Sequence, residues 1–156
     1  MKLRYFLLLV LPLVIVLGSC GKKCNDEKQV NIDDSIILKY LSDKGINAQK
    51  HPSGIYYQVL SNGTGNIAYT ANTTISANYT GRLLSGAIFD GPTSQPISFK
   101  LGGVITGWQV GIPLIQKGGK IRLIIPSGLG YGCEGQGPIP GNAVLDFDVE
   151  LVNVTN

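Results

Sequence analysis

The sequence predicts an α+β domain built on an antiparallel sheet. Three observations lead there. From Gly54 onward, short runs alternate apolar and polar residues, the period-2 signature of strands with one buried face. Glycine (21 residues) and proline (8) fall among these runs, as turns between short strands require. One short segment between the strands has helical spacing instead, apolar at Trp108, Ile112 and Ile115. Several strands around a single helix make an α+β domain. With 156 residues there is room for one compact domain plus tails, and no internal repeat is visible.

The first twenty residues read as an address. Lys2 and Arg4 precede an uncharged run from Tyr5 to Leu17, which exits through Gly18-Ser19-Cys20. A basic region, an apolar stretch and a small-residue exit form a secretory signal. The exit resembles the bacterial lipoprotein box, in which the Cys is acylated and becomes the first mature residue. The small residues suit peptidase access, and the Cys20 thiol is the nucleophile that takes the lipid. An uncleaved transmembrane helix and a simple secreted signal are the alternatives. The apolar run is about 13 residues, against roughly 20 for a bilayer span. The implied place is the bacterial cell envelope, lipid-anchored to a membrane with the domain outside the cytoplasm, in the periplasm or at the cell surface.

Residues 21–31 are polar and read as a flexible tether. Apolar residues at 32, 36, 37, 40 and 41 then follow helical spacing. Asp33 and Asp34 suit the helix start, Lys44 its last turn and Gly45 its C-cap. So short a helix needs a docking surface to be stable. Strands are expected at Gly54–Leu60, Thr73–Thr80, Gly119–Pro126 and Ala143–Val152. In the last run Leu145, Phe147, Val149 and Leu151 should face a core, with Asp146, Asp148 and Glu150 in solvent. The chain thus divides into a signal at 1–19, a lipidated Cys and tether at 20–31, a helical extension at 32–50 and the main domain at 51–156.

Composition excludes several functions. Without Lys2 and Arg4, 11 basic residues face 10 acidic ones. That balance gives no basic face for nucleic acid. Two Cys and the lone His51 lack metal-ligand spacing, and no cofactor is expected. One His in a polar stretch makes no Ser-His-Asp arrangement. Gly128-Leu129-Gly130-Tyr131-Gly132 lacks the Gly-Lys-Ser or Gly-Lys-Thr of a phosphate loop. With Cys20 spent on lipid, Cys24 and Cys133 are expected as unpaired thiols, although an oxidising compartment also permits a disulfide between them.

Some stretches carry a family pattern. They are Asn78-Tyr79-Thr80-Gly81, Phe89-Asp90, Phe99-Lys100-Leu101-Gly102, Val104-Ile105-Thr106-Gly107-Trp108, Gly130-Tyr131-Gly132, Ile139-Pro140 and Phe147-Asp148-Val149-Glu150-Leu151. In this order and spacing, residues 77–152 resemble the FKBP-type peptidyl-prolyl cis/trans isomerase domain. The helix at 32–44 lies outside the common domain and resembles an extension of lipoprotein members. The resemblance implies a half-barrel sheet of five or six strands wrapped on the short helix, with a pocket between them. Catalytic roles fall on Tyr79, Asp90 and Tyr131. Substrate-binding walls fall on Phe89, Ile97, Val104, Ile105, Trp108, Ile139 and Phe147. Trp108 would be the floor under the prolyl ring. Tyr131 and the Ile105 N–H would hold peptide carbonyls, and Asp90 would lie beside the twisting bond. The family often has an aromatic where Ile97 stands, a loop about one residue longer after Tyr131, and a second proline where Gly141 stands. Implied partners are proline-containing unfolded or exported polypeptides and FK506-like macrolides, with the membrane reached through the anchor and the protein a monomer.

The chemistry fits these residue types. Isomerising an X-Pro bond requires no acid, base or nucleophile, because its barrier of about 18–20 kcal/mol is amide resonance. A pocket that binds the twisted form better than the planar one lowers that barrier. Taken singly, Trp108 reads as core and Asp90-Gly91-Pro92 as a turn. A non-catalytic binding or chaperone module of the same fold is the competing function.

Overall fold

The computed structural model describes residues 27–91 and 95–156. The proposed signal, Cys20 and Cys24 lie outside the described residues. The chain opens with α1 (Glu27–Lys44). Strands β1 (Gln49–Lys50), β2 (Tyr56–Ser61), β3 (Thr74–Leu83), β4 (Ile88–Asp90) and β5 (Ile97–Lys100) follow. Helix α2 (Thr106–Gly111) comes next, then β6 (Lys120–Ile125) and β7 (Leu145–Thr155).

All pairings are antiparallel, in the order β1-β2-β6-β7-β3-β4, with β5 also on β3. This is the expected FKBP-like class. Seven strands replace the expected five or six, because the two-residue β1 and three-residue β4 are too short to register as periodic runs. The long β3 shares one edge between two partners. Residues 74–77 pair with β5, and Gly81 and Arg82 pair with β4. Tyr79 sits in the interval between them.

On the inner face, Ile121, Leu123 and Ile125 of β6 and Leu145, Phe147, Val149 and Leu151 of β7 form one core with Trp108 and Ile112. Two glycines set how closely α2 approaches. A Cβ on Gly107 would lie 2.5 Å from Ile125, and one on Gly111 would lie 2.5 Å from Leu123. Their absence lets the helix backbone rest on β6 and fixes the depth of Trp108.

The outer face is covered by α1, whose Ile37 and Leu41 pack with Tyr56, Ile124 and Val144. Consecutive β6 residues Leu123, Ile124 and Ile125 are therefore all buried. The C-cap is as expected: Gly45 has φ +63°, and the Ile46 N–H donates to the Leu41 carbonyl at 2.9 Å.

Three expectations about this face are corrected. The helix starts at Glu27, so residues 27–31 are not tether and Asp33 and Asp34 lie inside it. Half-buried Gln29 ties the first turns to the docked part of the helix by donating to Asp33 at 2.7 Å. The buried stripe is Asp33, Ile37 and Leu41, leaving Ile32 and Ile36 largely exposed. Asp146 is fully buried rather than in solvent. Arg122 grips it at 3.0 and 2.7 Å, Arg82 donates at 3.2 Å, and the Tyr40 hydroxyl of α1 donates at 2.9 Å. Four donors replace the water that Asp146 gives up.

Candidate active site

A cleft of about 480 Å³ opens where β3 passes from β5 to β4. Trp108, 4% exposed, forms its base. Around it stand Tyr79 at 5.1 Å, Phe147 at 5.5 Å and Phe99 at 5.9 Å between ring centroids, each edge-on. Edge-to-face contacts at this spacing suit aromatic quadrupoles. They also fix the Trp108 ring without filling the space above it. The Trp108 Nε1 has no hydrogen-bond partner among the described residues.

Polar groups gather at the rim. The Tyr79 hydroxyl donates to Asp90 Oδ2 at 2.7 Å, and the Gly91 N–H donates to Asp90 Oδ1 at 2.8 Å. Gly91 has φ +89°, and any Cβ there would strike the Tyr79 carbonyl, so this turn admits only glycine. Burial, then the Asp90 carboxylate, pushes the Tyr79 hydroxyl well above the ordinary tyrosine range. Burial, then Asp90, also raises Tyr131. Both phenols therefore stay protonated and able to donate. The turn entering α2 is held by the Gln109 side chain, which donates to the Val104 carbonyl at 2.8 Å. The Ile105 N–H at that turn has no acceptor among the described residues.

Of the residues named from sequence, Tyr79, Asp90, Val104, Ile105, Trp108, Tyr131 and Phe147 line the cleft. Phe89 stands behind it, edge-on to Phe147 at 5.5 Å. Ile97 and Ile139 are not among the lining residues; Ile139 is 6% exposed and belongs to the core. Phe99, Gly103 and Gln136 line the cleft and were not anticipated there. Period-2 alternation along β5 puts Phe99 on the same side as Ile97, a signal that could have found it.

The loop beyond Tyr131 closes tightly. Gln136 and Ile139 exchange backbone hydrogen bonds, each at 2.9 Å. A Cβ on Gly141 would collide with the Cys133 carbonyl, which explains why proline does not stand there. Cys133 is disulfide-bonded, which corrects the expectation of a free thiol. The chain's two other cysteines are Cys20 and Cys24, both outside the described residues. Among the described residues, no three His, Cys, Asp or Glu side chains gather as metal ligands. No helix among them is long and apolar enough to cross a membrane.

Comparison with known proteins agrees with this architecture. The family described as FKBP-type peptidyl-prolyl cis-trans isomerase matches residues 65–152. The isomerase FkpA of Buchnera aphidicola subsp. Schizaphis graminum is 41% identical over 133 residues, covering 83% of this chain and 52% of that protein. FkpA of Escherichia coli K12 is 42% identical over 118 residues, 74% of this chain and 43% of that protein. The chain spans about half the length of these curated relatives. The crystal structure of Escherichia coli FkpA superposes with a TM-score of 0.71 at 38% identity, covering 83% of this chain and 62% of that one. A Pseudomonas syringae peptidyl-prolyl isomerase gives 0.68 at 32% identity, covering 81% and 96%.

Proposed function

Because the chain belongs to the family of FKBP-type peptidyl-prolyl cis-trans isomerases, we propose that it accelerates cis/trans isomerisation of X-Pro bonds in exported, incompletely folded polypeptides. The observation that carries this is the cleft: an aromatic floor and walls, two protonated phenols at the rim and a backbone N–H at Ile105 that has no acceptor among the described residues. The prolyl ring lies on Trp108 against Tyr79, Phe99 and Phe147. The Ile105 N–H and the Tyr131 hydroxyl hold the flanking carbonyl oxygens. Asp90 acts electrostatically and by orienting Tyr79, with no proton transfer.

Twisting the amide returns the lone pair to nitrogen and reduces its dipole. Water favours the planar, more dipolar form, and the apolar cleft withdraws that advantage. A thousandfold acceleration needs about 4 kcal/mol, within reach of a dry site with two aimed hydrogen bonds.

A protease-coupled assay with a short X-Pro peptide tests this reading. Well-folded protein at micromolar concentration should speed cis-to-trans conversion. No acceleration would leave a binding or chaperone module. Trp108 is the chain's sole tryptophan, so its emission reports whether the peptide, or FK506, enters the cleft in either case.

The proposal extends to place. Acylation of Cys20 would tether the domain outside the cytoplasm, as a monomer, in the bacterial envelope. The disulfide at Cys133 is in keeping with an oxidising compartment. With Cys20 acylated, Cys24 remains as its partner. Mass spectrometry of the mature N-terminus decides the point; an unmodified Cys20 sinks it.

A further inference from the structure

Asp33 lies on the buried stripe of α1 and is 1% exposed. A carboxylate withdrawn from water must have its hydrogen bonds replaced. Gln29 Nε2 donates to Oδ1 at 2.7 Å. The Ser127 N–H and hydroxyl both donate to Oδ2, at 2.8 and 2.7 Å. Ser127 is fully buried and has a second set of bonds. Its carbonyl accepts from the Gly130 N–H at 3.0 Å and the Gly132 N–H at 2.9 Å. Tyr131 stands between those two glycines. Ser127 is thus a hub, with Asp33 on its donors and the Tyr131 loop on its acceptor.

Three of the five residues from Gly128 to Gly132 are glycines, so hydrogen bonds must hold much of the loop's backbone. Besides the bonds to Ser127, the Gly132 carbonyl accepts from the Asn142 N–H at 2.8 Å, and Leu129 and Tyr131 pack on the core. The hydrogen bonds of Asp34 and Tyr40 on α1 go elsewhere. Asp34 accepts from the Tyr56 hydroxyl at 2.7 Å and from Lys50 at 2.5 Å, and Tyr40 donates to Asp146. Helix α1 also lies outside residues 65–152, the stretch that matches the family.

We infer that Asp33 is a positioning residue for Tyr131, so that the N-terminal helix forms part of the catalytic architecture through Ser127. The inference rests on the isomerase reading for Tyr131's role. Asp33 touches no substrate. It restrains the backbone that aims the Tyr131 hydroxyl.

The test compares Asp33→Ala, Asp33→Asn and Asp34→Ala in the full chain. Asp34→Ala loosens helix docking without touching Ser127. Two readouts are taken: kcat and KM on an X-Pro peptide, and amide hydrogen exchange at Gly130 and Gly132. Asp33→Ala should lower kcat at least fivefold and speed exchange at both glycines at least tenfold. Asp33→Asn, which keeps an acceptor oxygen, should stay within threefold on kcat, and Asp34→Ala within twofold on both readouts. Equal effects from Asp33→Ala and Asp34→Ala overturn the inference, as does a change in only one readout. If Asp33→Ala does not fold, Ser127→Ala, which removes one of the two bonds, should show the same direction in both. An inactive wild type would sink the isomerase reading, while exchange at the glycines still decides whether Asp33 holds the loop.

Discussion

The Tyr79 hydroxyl and the Asp90 carboxylate meet at 2.7 Å across the mouth of the cleft, one from β3 and one from the short β4. The bond joins two elements that pair at only two positions. Asp90 is exposed, so its removal should alter the rim without disturbing the core. Asp90→Ala should lower kcat/KM on an X-Pro peptide about tenfold, or about 1.4 kcal/mol, with an unfolding midpoint near that of the wild type. Tyr79→Phe, which keeps the ring against Trp108, should cost less. Unchanged rates in both would place the reaction elsewhere.

Tyrosine ionisation should set the alkaline limit of stability. Tyr40, Tyr56, Tyr69, Tyr79 and Tyr131 all hold their protons more tightly than an ordinary tyrosine, burial being the main cause in each. In the unfolded chain they lose them near pH 10. The unfolded state then binds fewer protons than the folded one, so stability falls as pH rises. Urea midpoints should be insensitive to these groups below about pH 9 and decline steadily above pH 10. Activity should likewise show no tyrosine titration between pH 6 and 9. A midpoint that rises above pH 10 would contradict this.

Asp146 joins the outer face of the sheet to α1. Its removal leaves Arg82 and Arg122, each about one-fifth exposed, without their buried shared partner. Breaking one side of a buried ion pair costs about 3–5 kcal/mol. Both arginines retain Asp148, so Asp146→Ala should lie near the bottom of that range in urea denaturation. A loss below about 1 kcal/mol would show that the network contributes little.

The disulfide at Cys133 should be measurable as stability. Cross-links of this kind contribute about 2–4 kcal/mol, chiefly by restricting the unfolded chain. Dithiothreitol should lower the urea midpoint accordingly, and Cys24→Ser should match the reduced protein while Cys20→Ser should not. Equal stability with and without reductant would refute the cross-link.

The inner face was legible in the sequence because its signals are local. Alternation from Leu145 to Leu151 marks the buried side of β7, and the helical spacing of Trp108, Ile112 and Ile115 marks the segment where α2 (Thr106–Gly111) gives way to a 3-10 turn at Ile112–Leu114. The motif residues around the cleft carry their order in the chain. The outer face was not legible. Polarity suggested that residues 27–31 were tether and that Asp146 was exposed, yet the first are helix and the second is buried. Both outcomes depend on partners distant in sequence, 106 residues apart for Tyr40 and Asp146.

The sequence by itself determined the α+β class and the strands β2, β3, β6 and β7, and its family resemblance named most of the aromatic cleft. Apolar periodicity is written residue by residue, and a buried face must be apolar wherever it packs. Only the tertiary structure decided that Phe99 rather than Ile97 lines the wall, that Cys133 is cross-linked and that Asp33 reaches Ser127. Burying a polar group is tolerated only where matching donors converge on it, and that convergence exists only once distant segments have been brought together.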